Sequence, residues 1–336
     1  MHAMTSPSMA PEPRLLFLTS VNLLIQEPIS IDRQAIVSTP DLRNGTATIS
    51  TTVYLTNKTS QSKAVQVQQT VDLSAVLRKT SNPQTVIIPA NGSISCVINM
   101  LLSPKEVKLW HFDHPYLYNS TVQLTTGKTQ QYAIANRFGI RKIELDQYRF
   151  LLNGESVRLA GYNWVADDRT TGSMLPEWRY KEDIDLMKIA GANMARLSHR
   201  PLPENVMDYL DEKGILVLSE FNNWPQFMNA NSNEPKQFAA KLIQQSFNHP
   251  CVFGWSVGNE NGNLKENPEV NDYVASIIQY IKKHLDSTRL VTYVSNTADF
   301  QDNDAAQFCD VIMINKYGTD RRQFRVNCRV SSAIDL

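Results

Sequence analysis

The hydrophobic rhythm of this chain changes near Gly139, and that change limits the folds open to it. Before it, apolar residues recur at every second position. Ile49, Thr51, Val53 and Leu55 alternate with polar neighbours, and Val65, Val67 and Val71 continue the pattern, as do Ile94, Cys96 and Ile98. A period of two turns one face of a strand inward. Asn44-Gly45, Asn91-Gly92 and Thr126-Gly127 supply turn signals between the runs. About seven short strands in roughly 100 residues, with no helical stretch among them, predict an immunoglobulin-like β-sandwich over residues 30–137.

After Gly139 strands alternate with helices. Val157–Ala160 reads as a first apolar strand, and Tyr180, Ile184 and Met187 follow at helical spacing, with Gly191 as a cap. Met194–Leu197 is the second strand; Val206, Tyr209 and Leu210 mark a helix ending at Gly214; Ile215–Leu218 is the third strand. Phe238, Leu242 and Ile243 mark the next helix, with Pro235 near its start, and Val252–Val257 is the fourth strand. Val270, Val274, Ile277, Ile278, Ile281 and Leu285 form the clearest amphipathic stripe, and Val291–Val294 and Val311–Ile314 supply two further strands. Such alternation calls for a parallel sheet. An open doubly wound sheet and a (β/α)8 barrel both fit; without a Gly-rich phosphate loop after the first strand, a partial TIM barrel over residues 138–320 is the better reading.

Composition removes several functions. Lys plus Arg is 33 and Asp plus Glu is 33, so there is no electrostatic footprint for nucleic acid or an anionic membrane. No run of 18 apolar residues marks a transmembrane helix. Leu15–Ile25 follows Arg14 as a signal-peptide core would, yet it lacks a clean small-residue cleavage site; a strand or connector is expected there, within a poorly defined segment 1–29. Sequons at Asn44, Asn57, Asn91 and Asn119 matter only in a host that glycosylates. Cys96, Cys251, Cys309 and Cys328 form no CxxC pair and no metal spacing, so free thiols are expected and no cofactor is implied.

A parallel barrel carries its chemistry at the C-terminal ends of its strands. The first strand ends in Asn163, Trp164, Asp167 and Asp168, and the second in Arg196, Ser198 and His199. The third gives Glu220, Asn222, Asn223 and Trp224; the fourth Asn259, Glu260 and Asn261; the sixth Asn315, Lys316 and Tyr317. Amides and carboxylates hydrogen-bond sugar hydroxyls, Trp offers an apolar ring face, and a strand-end carboxylic acid can protonate a glycosidic oxygen. A metal is the weaker reading, because His199 alone makes no ligand set. Arg196 also fits an internal ion pair, His199 a hydrogen-bonded loop histidine, Asp167 and Asp168 solvated loop positions, and Trp164 and Trp224 plain packing.

Trp255-Ser256-Val257-Gly258-Asn259-Glu260-Asn261 resembles the acid/base segment of glycoside hydrolase family 2, which includes β-galactosidases, β-glucuronidases and β-mannosidases. Gly191 to His199 is similar to that family's second barrel strand, and Asp211 to Val217 to the approach to its third. Phe138-Gly139-Ile140-Arg141 with Leu152-Asn153-Gly154 resembles its sandwich–barrel junction, and Leu109-Trp110 with Pro115 to Tyr118 a late sandwich segment. The resemblance covers about residues 25–320 and implies a retaining, exo-acting glycosidase with a β-linked carbohydrate substrate. It implies Glu260 as acid/base, Asn259 as partner of the sugar 2-hydroxyl, and Arg196, His199 and Tyr317 as pocket residues, Arg196 and Tyr317 beside the nucleophile.

The pattern breaks at both ends. The family's nucleophile is a glutamate on strand seven, usually in a Ser/Thr-Glu-Phe/Tyr-Gly segment, and nothing after Tyr317 resembles it; residues 321–336 read as a non-family tail. Only about 25 residues precede the sandwich, too few for the family's N-terminal sugar-binding domain. Ser219-Glu220-Phe221 looks like the nucleophile segment but sits on strand three, so Glu220 is expected to line the pocket instead. The expectation is a glycosidase-derived chain that is itself inactive, against the alternatives of a non-catalytic sugar-binding remnant or an incomplete chain without function.

Overall fold

Alternation in the first region becomes two antiparallel sheets. The computed structural model describes residues 26–127, 130–147, 149–221, 233–260, 269–296 and 304–315. Eight strands form the first layer pair: β1 (Ile29–Asp41), β2 (Thr46–Asn57), β3 (Lys63–Asp72), β4 (Arg78–Thr80), β5 (Gln84–Ile88), β6 (Gly92–Leu102), β7 (Tyr118–Thr126) and β8 (Gln130–Phe138). One sheet has the order β1-β2-β6 and the other β4-β3-β7-β8, with β5 also paired to β3. Along β2 every second side chain from Ala47 to Asn57 is buried, which is the period-two pattern made physical. Val53, Leu55, Val65, Val67, Ile98 and Val122 meet between the sheets.

The first apolar run after Gly139 behaves differently from the sequence expectation. The chain makes an antiparallel meander first: β9 (Ile143–Asp146), β10 (Arg149–Leu152) and β11 (Glu155–Val157). The turn between the last two is Asn153-Gly154, with φ of 55° and 81°. Two positive φ values match the twist of a tight hairpin, so Val157 is drawn into an antiparallel pair with Phe150. The first parallel strand, β12 (Gly161–Trp164), therefore starts at Gly161 rather than Val157.

Strand and helix then alternate: α1 (Glu177–Ile189), β13 (Met194–Leu197), α2 (Glu204–Lys213), β14 (Leu216–Glu220), α3 (Glu234–Ser246), β15 (Val252–Asn259), α4 (Glu269–Tyr280), β16 (Leu290–Ser295) and β17 (Met313–Ile314). A π-helical turn, Ile281–Leu285, extends α4. The sheet order is β12-β13-β14-β15-β16-β17, all parallel, so each strand lies beside its neighbour in sequence. A doubly wound sheet reverses direction at a switch point and this one does not, which decides for a partial barrel. β14 is buried along its whole length, and β15 from Val252 to Gly258. Helices cover one face of such strands and the interior the other, hence near-continuous apolar runs.

Sandwich and barrel are joined by backbone-directed contacts. Trp110 is fully buried and its indole donates to the Asp211 carbonyl at 3.0 Å. The Asn248 side chain accepts from Ile36 N and donates to Gln34 O, both at 2.9 Å. It thus occupies the free edge of β1 as a strand residue would. Gly214 ends α2 in a left-handed conformation, φ 65°, and a Cβ there would lie 2.4 Å from the Phe112 carbonyl oxygen.

Candidate active site

Arg196, near the end of β13, is 5% exposed, and Glu220, the last residue of β14, is fully buried. A charge so placed needs a partner. Arg196 Nε and Nη2 both donate to Glu220 Oε2, at 2.8 and 2.7 Å. Ser256 Oγ, on β15, donates to the same oxygen at 2.9 Å, and His199 Nδ1 lies 2.5 Å from Glu220 Oε1. Glu220 is thereby committed through both oxygens. The His199 side chain is half exposed, so the ring carries this link from the buried ion pair out to the open end of the sheet.

Arg196 also reaches the fourth strand. Its Nη2 donates to Asn259 Oδ1 at 2.6 Å, and its Nη1 to Asn315 Oδ1 at 3.4 Å. Asn315 Nδ2 donates to Asn259 Oδ1 at 2.8 Å and to Glu260 Oε1 at 2.5 Å. Glu260 has φ 48°, a left-handed backbone that costs an L-residue about 1–2 kcal/mol. Its N–H donates to Val294 O on β16 at 2.9 Å, which holds that conformation. One connected network thus joins residues at the ends of β13, β14, β15 and β17.

Sequence-predicted residues divide three ways. Arg196, His199, Glu220, Asn259 and Glu260 come together in this network. Asn163 lies on β12 in register with Arg196, exposed at the edge of the sheet. Trp224 and Tyr317, with Asn222, Asn223, Asn261 and Lys316, lie outside the described residues. Among the remaining strand-end residues, Trp164 is packing: it is buried against α1 and its indole donates to Asp183 Oδ2 at 3.3 Å. Asp167 pairs with Arg200 at 2.9 Å. Asp168 accepts from the backbone N–H groups of Thr170 and Thr171, which hold its carboxyl below the usual range.

Asn315 stood among the polar residues closing the sixth strand without a role assigned to it, and one participant was missed. Ser256 lies inside a buried run and left no signal in the sequence. A separate cavity of about 510 Å³ lies between the loops after β12 and β13, walled by Trp164, Leu175, Pro176, Leu202 and Val206 rather than by the network. Among the described residues, Asp208, Asp211 and His249 could bring ligand atoms within 4.8 Å of one another. They sit on α2 and the loop before β15, and Asp208 is engaged by Arg137 at 2.7 Å.

A family model described as "Glycosyl hydrolases family 2, TIM barrel domain" matches residues 143–328, and a second, "Glycosyl hydrolases family 2", matches residues 30–141. A beta-galactosidase of Thermoanaerobacter pseudethanolicus is 35% identical over 151 residues, 44% of this chain and 20% of that protein. The human beta-glucuronidase is 32% identical over 225 residues, 63% of this chain and 34% of that protein. The chain spans about a third or less of the length of these two relatives. Among solved structures, Bacteroides uniformis beta-glucuronidase 2, covalently bound to cyclophellitol-6-carboxylate aziridine, superposes with a TM-score of 0.78 at 21% identity over 89% of this chain and 38% of that one. A beta-galacturonidase from Eisenbergiella tayi bound to galacturonate gives 0.77 at 22% identity over 87% and 51%. At these identities the superpositions establish the fold.

Proposed function

This chain belongs to glycosyl hydrolases family 2, and from that premise we propose that it carries the acid/base half of a retaining β-glycosidase site, with Glu260 as the proton donor. The observation that carries the reading is the attachment of Glu260: a strand-end carboxylic acid on a left-handed backbone, bonded to Asn315 and joined through it to Asn259 and Arg196. In such a site the acid protonates the glycosidic oxygen as the C–O bond breaks, and its carboxylate later takes a proton from the water that releases the sugar. Asn259 hydrogen-bonds the sugar 2-hydroxyl. Arg196 and His199 line the same sugar subsite, with Asn163 on the neighbouring strand; a pocket role for Trp224 and Tyr317 is proposed from the sequence alone. A β-galactoside or β-glucuronide is the substrate class that the related proteins favour.

Glu220 is the counter-ion of Arg196 and not the nucleophile. Three donors on Oε2 and an imidazole on Oε1 leave its lone pairs engaged. Attack on a sugar carbon would break a fully buried ion pair. The retaining mechanism needs a second carboxylate about 5–5.5 Å from the first, and Glu220 is the only other carboxylate that the network holds among the described residues. Glu220 then contributes no turnover of its own, and sugar binding without efficient turnover is the outcome we propose for the residues of this network. The test is the purified chain with nitrophenyl β-galactoside, β-glucuronide and β-mannoside, alongside calorimetric titration with the free sugars. Sugar binding that weakens in Asn259→Ala, with turnover far below roughly 1–10³ s⁻¹, is expected. Turnover in that range that disappears in Glu220→Gln while the fold survives would make Glu220 the nucleophile and overturn the assignment.

A further inference from the structure

Protein interiors pack with few voids larger than a water molecule, so a large hollow persists only where its walls resist closing. The cavity of about 510 Å³ beside the ends of β12 and β13 is such a hollow. Trp164, Ala166 and Val206 form a buried, apolar floor, and Leu175, Pro176 and Leu202 stand half-buried around it. Pro176 and Pro203 lead into α1 and α2 on its two sides, with φ of −64° and −60°. The pyrrolidine ring fixes φ at both places, which stiffens the two segments that border the cavity.

The cavity lies on the other face of the sheet from the Glu220 network. Successive residues of a strand point to opposite faces. Arg196 reaches across the strands to Glu220 and Asn259, whereas the next residue, Leu197, is in register with Trp164. The Trp164 indole donates to Asp183 on α1. Trp164 therefore faces the helices with its N–H spent, and the cavity meets its ring. The segment between β13 and α2 serves both faces: His199 joins Glu220, and Leu202 and Pro203, a few residues later, wall the cavity.

We propose that this cavity is a binding site for a small uncharged aromatic molecule, separate from the sugar subsite, and that its occupant braces the segment that carries His199. Its size and lining are those of ligand pockets, which run to roughly 300–1,000 Å³ and are mostly apolar. The charge of the ligand follows from the lining. Among the described residues Glu177 is the one charged group there, exposed at the rim and already paired with Lys181 at 2.6 Å. An anion finds no cation in the lining, and a cation would give up water for apolar walls. A sugar would leave hydroxyls unpaired against the same leucine, proline and valine side chains. An aromatic ring gives up no hydrogen bond on entry and can pack on Trp164.

The experiment titrates the full chain with indole and follows it by ¹H–¹⁵N NMR. The Trp164 Nε1–H resonance, identified by its loss in Trp164→Phe, is expected to shift and saturate. The ring resonances of His199, identified by their loss in His199→Gln, should move with the same midpoint. Leu202→Trp fills the cavity from the α2 side and Leu175→Trp from the α1 side, the latter without touching the His199 segment. Both responses should vanish in either variant, with circular dichroism and the urea midpoint showing that the fold survives. Where one variant does not fold the other decides, and where neither folds the titration of the unaltered chain does. An absent or unsaturable response at Trp164, or one that survives in a filled and folded variant, overturns the site. A saturable Trp164 response that leaves His199 unmoved keeps the site and overturns its link to the network. None of these outcomes depends on whether the chain binds sugar.

Discussion

The sandwich interior and the mouth of the barrel both bury polar side chains, but of opposite character. Between the sandwich sheets the groups are neutral. Gln34 donates through Nε2 to Ser120 O and accepts from Ser120 Oγ through Oε1, while Gln69 Nε2 donates to Thr51 Oγ1 and Ser120 Oγ. Three of these bonds run from one sheet to the other, and the bond from Gln69 to Ser120 Oγ ties β3 to β7 within one sheet. At the barrel mouth the buried pair is ionic, Arg196 with Glu220, and its bonds gather at one end of a single sheet. Burying two charges costs several kcal/mol each before they attract one another. A scaffold can be held by neutral groups, as the sandwich is, so ionic burial at a strand end marks a place where charge itself is needed.

That contrast predicts very different costs of removal. Arg196→Ala leaves Glu220 as an uncompensated buried carboxylate and is expected to destabilise the chain by about 3–5 kcal/mol. Urea unfolding at neutral pH measures it. A loss below about 1 kcal/mol would mean that water or a neighbouring cation relieves Glu220, and the mouth would then be no stricter than the sandwich.

The joint between the two regions comes next. Gly214→Ala must place a Cβ where the Phe112 carbonyl oxygen lies 2.4 Å away, on a backbone with φ 65°. The expected loss exceeds about 1 kcal/mol, because alanine is strained there even without a clash. Spectroscopic probes of sandwich and barrel unfolding should separate in this variant if the joint couples them, and stay coincident if it does not.

Within the sandwich the effect is smaller. Gln69→Leu deletes two donors, but Gln69 Oε1 is buried without a partner in the structure, so the change also removes an unsatisfied acceptor. The expected cost is about 1 kcal/mol or less. A loss rivalling that of Arg196→Ala would show that neutral stitching matters as much as the ion pair.

How far these regions were legible in sequence follows from the same physics. Period-two burial along β2 and the apolar runs of β13 to β16 are one-dimensional signals, and they appear in the fold where the rhythm places them. The start of the barrel was misjudged because Asn153-Gly154 sets a hairpin, and a turn outranks a four-residue apolar run. In the network, Arg196, Glu220, Asn259 and Glu260 were visible as polar residues closing apolar strands. Their pairings were not. That Glu220 is spent on Arg196 and Ser256, or that Asn315 spans two acceptors, depends on register between strands, which no local pattern encodes.

The smallest effect lies at the joint and depends on pH. His249, in the loop before β15, is buried with Nδ1 2.6 Å from Asp211 Oδ2. Burial alone pushes an imidazole down, but the Asp211 carboxylate outweighs it, with Asp208 and Glu204 adding to the attraction, and the folded His249 titrates above its ordinary value. Arg137, from the sandwich, faces the same cluster through Asp208 and Glu212 and stays charged throughout. A histidine whose pKa is raised on folding contributes stability that is complete below its unfolded value of about 6.5 and is lost as pH rises through the folded one. The wild-type chain should therefore exceed His249→Gln in urea midpoint most at pH 6, and the gap should narrow by pH 8.5. A gap for His249→Gln that widens with pH would mean that the neutral imidazole is the form the fold prefers, with Asp211 held by Cys251 N–H at 2.8 Å rather than by the histidine.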